Sequence, residues 1–144
     1  MSTLITVRDD RTRWQRLQGP TLLALGLLGA SLALHVRDPH REGAYGFCPW
    51  LTLTGTYCPG CGGLRAVNDL THGNVVAAAS SNALFVGALP LLGFWWFRRL
   101  ADGWRGARRH VEERKAYLVG AVVLGFAVLF WVVRNLPFAT WLTP

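Results

Sequence analysis

VVAAASSNALFVGALPLLGFWWF, residues 75–97, runs for 23 positions without a full charge. A helix rises about 1.5 Å per residue, so about 20 apolar residues cross a hydrocarbon core of about 30 Å. This stretch is long enough on its own. Two other runs share its character: PTLLALGLLGASLALHV at 20–36 and AYLVGAVVLGFAVLFWVV at 116–133, of 17 and 18 residues. Both are near the lower limit for a span, and flanking residues complete them. A soluble bundle would need polar stripes at helical spacing, and none of the three runs has one. The chain of 144 residues is therefore expected to be an all-α integral membrane protein with three transmembrane helices.

The first run has a basic leader and ends near Ser31-Leu-Ala33, as a secretory signal peptide does. The leader is too long and the apolar run exceeds the usual core of such a peptide, so an uncleaved anchor is expected. Charge then sets the orientation. The amino-terminal tail (1–19) and the loop at 98–115 carry eleven basic residues, against four in the loop at 37–74 and the tail at 134–144. The positive-inside rule puts 1–19 and 98–115 in the cytoplasm, and 37–74 and 134–144 outside it. The net charge of +7 is thus an orientation signal, and no nucleic-acid partner is implied. The polybasic loop suits anionic headgroups, and Trp95, Trp96 and Trp104 suit the interface.

All three cysteines lie in the outward loop, in FCPWLTLTGTYCPGCGG at 47–63. Cys58-Pro-Gly-Cys61-Gly62 has the form of a metal knuckle, whose tight turn points backbone N–H groups at thiolates. Zinc in a structural site takes four ligands. Cys48, Cys58 and Cys61 supply three, and His72, or His35 or His40 in its place, would supply the fourth. Residues 63–71 (GLRAVNDLT) read as a short interfacial helix with Leu64, Val67 and Leu70 on its apolar face. That helix carries His72 about 15 Å from Cys61, where it reads as helix punctuation before Gly73 and the cap Asn74. The same cysteines also suit a structural disulfide, of unknown pairing, pinning the loop. A third reading is a redox pair at a helix N-terminus, where thiols ionise more readily. All three readings stay open, with the staple first; zinc is the cofactor the metal reading implies.

Polar groups in a span are costly and point to sites. Asn82 lies in the second run, Arg134 and Asn135 close the third, and Arg65 follows Cys61 by one turn. These four are expected to converge with the cysteines on one polar pocket. Ala79, Ala83 and Gly87 form a small-residue stripe, as do Gly26 and Ala30, suiting close helix packing, a homo-oligomer or a larger membrane complex. Pro90 is expected to kink the second span. No serine–histidine–acid order, HExxH, phosphate loop or intramembrane carboxylate pair is present, so no catalytic residue is assigned.

Cys48-Pro, Thr54-Gly55, Cys58-Pro-Gly-Cys61-Gly62, Arg65-Ala66, His72-Gly73 and Asn82 follow one another as in a bacterial membrane family known as domain of unknown function 2752. The resemblance covers about residues 46–97, and Arg134-Asn-Leu-Pro137 resembles that family's last span. It implies a small bacterial plasma-membrane protein and the positions of its site, without a chemistry. Leu64 stands where a threonine is usual, Asn74 where an acid is usual, and Ala83 where proline is common, which puts a helix break there in doubt. The leading functional expectation is a non-enzymatic accessory or scaffold subunit with a stapled or metal-bound outer loop. A membrane thiol–disulfide oxidoreductase using Cys58 and Cys61, and a subunit of a small-solute or metal transporter, are the alternatives.

Overall fold

A computed structural model describes residues 6–8, 10–41, 43–46, 48–109 and 113–143. Parts of the amino-terminal tail and of the second basic loop lie outside them. Three helices are long and apolar enough to cross a membrane: α1 (Arg13–Val36), α4 (Val75–Arg105) and α5 (Glu113–Arg134). Two short helices, α2 (Pro49–Thr54) and α3 (Gly63–Thr71), occupy the loop between α1 and α4, and a 3-10 turn (Thr140–Leu142) follows α5. Neither α2 nor the 3-10 turn is expected from the sequence pattern.

α1 and α4 run beyond their apolar stretches to local caps. α1 starts seven residues before Pro20, where Thr12 and Gln15 form a reciprocal capping box. α4 continues past Phe97 to Arg105 and stops at Gly106, whose φ of 74° lies in the left-handed region. The chain then doubles back. Ala107–Arg109 (β2) pairs antiparallel with Thr6–Arg8 (β1), Val7 opposite Arg108. This small ribbon is an addition to the helical architecture: the reversal at Gly106 sets β2 beside the tail, which an apolar-run reading does not see.

α3 packs on α4 and α1, and α1 packs on α4. The face of α3 that turns inward is the polar one. Ala66, Asn68 and Asp69 are buried, whereas Leu64 is 48% exposed. Asn68 Nδ2 donates to the Leu34 carbonyl at 2.7 Å, and Ser81 Oγ donates to Asp69 Oδ2 at 3.0 Å. Leu64, on the apolar side of this helix, stays outside. Lipid is as apolar as leucine, so in its presence hydrogen bonds, rather than apolar area, select partners.

The glycines of the small-residue stripes are not points of close approach within the chain. A Cβ added at Gly26 or Gly87 would touch nothing within 4 Å, whereas one at Gly103 would stand 3.4 Å from the Arg16 carbonyl oxygen and the Leu17 side chain. The interruption of α4 also falls elsewhere than Pro90. Non-helical dihedrals occur at Asn82, with φ −160° and ψ 91°.

Candidate functional site

The site grows from two turns that bring three sulfurs together. Cys48 sits at the N-cap position of α2, which ends at Gly55 with φ 68°. The chain then enters Cys58-Pro-Gly-Cys61. Cys61 N–H bonds the Cys58 carbonyl at 3.1 Å, and Gly62, at φ 81°, opens α3. A residue with a Cβ is strained at that angle, which is why glycine closes the motif. Within the turn, Cys58 N–H donates to Cys61 Sγ at 3.2 Å.

Cys61 Sγ lies 2.7 Å from Cys58 Sγ and 3.4 Å from Cys48 Sγ, and all three sulfurs fall within 4.8 Å of one another. None of the three is joined to another by a disulfide bond. They are close enough together to hold one metal ion. With two sides of 3.4 and 2.7 Å and a third no longer than 4.8 Å, the law of cosines keeps the angle at Cys61 Sγ below about 105°. The sulfurs form a triangle, not a row.

Their ionisation differs. Burial, then hydrogen bonds to Cys58 and Cys48, pushes the Cys61 thiol up to about 12. The backbone N–H of Leu51, followed by the Cys61 thiol, holds Cys48 below the ordinary thiol range. Cys48 thus becomes thiolate before Cys61.

Beneath the sulfurs, side chains from two long helices grip the backbone of the turn. Arg134 is completely buried. Its Nη1 donates to the carbonyls of Cys58 (2.8 Å) and Cys61 (3.1 Å), and its Nη2 to that of Leu142 (2.9 Å). Its guanidinium also lies 4.9 Å from the Phe130 ring centre. Asn82, 1% exposed, donates from Nδ2 to the carbonyls of Pro59 (2.9 Å) and Cys61 (3.1 Å). Its Oδ1 accepts from Phe85 N–H at 2.9 Å, so the same side chain caps the helix that resumes after the break. Asn135 accepts from Tyr57 N–H at 2.8 Å and donates to the Tyr57 carbonyl at 2.9 Å.

Asn82, Arg134 and Asn135 therefore meet one segment, residues 57–61, but as a clamp on its carbonyls rather than as the lining of a pocket. Arg65 lies elsewhere. Its Nε reaches the Pro39 carbonyl at 3.4 Å, and its side chain joins Cys48, Cys58 and Cys61 around a cleft of about 550 Å³.

The histidines do not approach the sulfurs: the group within 4.8 Å contains the three cysteines alone among the described residues. His72 caps α3, donates from Nδ1 to the Asn68 carbonyl at 2.9 Å and stacks on His35 with ring centres 4.2 Å apart. His40 stands between Asp38 (2.9 Å) and Asp69 (3.4 Å). Asp38 is held below its ordinary range, chiefly by the backbone N–H of His40. Tyr57, Asn68, Asp69 and Ser81 were missed as partners. The signal that could have found them is the pairing of Asn68-Asp69 in a short helix with Ser80-Ser81 near the start of a span.

Residues 48–96 match the model of a family described as protein of unknown function (DUF2752), which supports the resemblance carried by the cysteine signature. No curated protein and no solved structure matches the chain.

Proposed function

We propose that the protein is a non-enzymatic accessory subunit of the bacterial cytoplasmic membrane, in which Cys48, Cys58 and Cys61 hold a zinc ion that fixes the outer ends of its helices. The observation that carries this reading is the triangle of sulfurs. Thiol–disulfide exchange passes through a nearly linear row of three sulfurs as one attacks and another leaves. An angle below about 105° at the central Cys61 disfavours such a relay and suits a shared ion. Around tetrahedral zinc, with Zn–S of about 2.3 Å, sulfurs stand about 3.8 Å apart. The 3.4 Å pair is near that spacing, and the 2.7 Å pair would have to open by about 1 Å. The N–H donated to Cys61 Sγ favours its thiolate, against the burial that pushes the free thiol up, and a bound cation would reverse that balance. The excess of basic residues on the tail and second loop supports a cytoplasmic amino terminus and an outward cysteine loop.

A second reading, a Cys58–Cys61 disulfide stapling the turn, draws on the 2.7 Å separation. One experiment separates the two. The full-length protein, purified in lipid nanodiscs without chelator, is assayed for bound metal and for thiol labelling. Zinc stoichiometric with the chain, lost in Cys48→Ser and Cys61→Ser, is expected, with thiols labelled only after chelation. Thiols labelled only after reduction, without metal, would establish the staple and sink the zinc centre. Labelling of chelator-treated intact cells by an impermeant maleimide tests the orientation; labelling only after lysis reverses it.

A further inference from the structure

Three thiolates are one donor short of a closed structural zinc site, and a site with three protein ligands keeps a position for something else. No histidine or carboxylate among the described residues joins the sulfurs. The turn has two sides. On one, its carbonyls are taken up by the clamp from Asn82 and Arg134. On the other, the three cysteines border a cleft of about 550 Å³, shared with Tyr45, Leu51, Tyr57 and Arg65. That volume admits a molecule much larger than water, whose share of the liquid is about 30 Å³.

Charge narrows what enters. A divalent ion on three thiolates carries one net negative charge, and the buried Arg134 guanidinium under the same turn carries one positive charge. Arg65 is then the charged side chain among the described residues that border the cleft, and it is surplus. Among the described residues its one hydrogen bond, to the Pro39 carbonyl at 3.4 Å, is long and leaves the rest of the guanidinium for another partner. We infer that the fourth coordination position opens into this cleft and takes a small exogenous monoanion, with Arg65 meeting its charge. This inference rests on the metal reading above, and it turns the cysteine loop from a closed staple into a ligand-binding centre.

The test uses full-length protein in nanodiscs, loaded with Co(II) in place of zinc and titrated with thiocyanate. Cobalt bound to thiolate gives an intense sulfur-to-metal band, and its weaker visible bands report the coordination number and the fourth donor. Saturable movement of the visible bands with thiocyanate is expected. In Arg65→Gln the starting spectrum should be unchanged, while the thiocyanate affinity falls about tenfold or more, the scale of one charge-assisted contact. Arg65→Lys should recover part of the loss. A sulfur-to-cobalt band that thiocyanate never alters would overturn the open position and leave the metal centre standing. Equal affinity in wild type and Arg65→Gln would overturn the role of Arg65. Absence of the sulfur-to-cobalt band would defeat the metal reading, and this inference with it.

Discussion

α4 and α5 each send a polar side chain to the same turn, yet the two helices are held differently. α4 lies along α1 and α3 and buries Ala78, Ser81 and Asn82. α5 is the most hydropathic of the three, yet none of its most apolar 18-residue stretch is buried. It meets the remainder of the chain near its end, where Trp131 sits edge-on to Trp50 and Arg134 and the following Asn135 reach the turn. Apolar area therefore does not decide which helix packs. In a lipid setting an exposed leucine loses nothing, whereas an unpaired carbonyl does, so a few polar contacts fix the arrangement.

The sharpest way to break this contrast is Arg134→Met. It removes the donors to three carbonyls and the main attachment of α5, and should cost about 3–5 kcal/mol in unfolding experiments in mixed micelles. A loss below about 1 kcal/mol would mean that α5 is held by contacts other than this clamp. Asn82→Ala removes two donors and the internal cap, for an expected loss of about 2 kcal/mol. Asn82→Asp keeps the cap oxygen and loses the donors, so it should fall between wild type and alanine and apportion the two roles.

Within the clamped turn, the thiols should separate by reactivity. In metal-stripped, reduced protein at mildly alkaline pH, Cys48 should alkylate at least about tenfold faster than Cys61, because only thiolate attacks. The sign follows from the two shifts. Cys48, held below its ordinary range, keeps its thiolate as pH falls through that range, while Cys61, pushed up to about 12, stays protonated until strongly alkaline solution. Mass-spectrometric labelling against pH reads both, and equal rates would contradict the assigned polarity. The smallest effect belongs to α5 itself. Leu124 is 64% exposed, and Leu124→Ala should change stability by less than about 0.5 kcal/mol.

The long helices were legible because freedom from charge over a bilayer's thickness is a property of composition, visible at 75–97 without any partner. The cysteines were legible as a group because their spacing places them in one loop. The inward face of α3 was not. Leu64, Val67 and Leu70 mark an apolar side, but nothing in the sequence says what that side meets, and Asn68 and Asp69 are residues that turn inward. The break in α4 was obscured for a related reason. No proline stands at the break, yet α4 still opens at Asn82, because that side chain supplies the cap that makes the break stable. The Leu142 carbonyl, an acceptor for Arg134, lies in a tail with no periodicity to announce it.

The identity of the acceptors in the clamp has one more consequence. Arg134 and Asn82 bond peptide carbonyls, and Asn135 bonds both polar groups of a single peptide residue, Tyr57. None of these partners gains or loses a proton in water, and a guanidinium stays charged across the same range. Acid strong enough to protonate every thiolate would change the charge on the sulfurs without loosening the bonds that hold the turn.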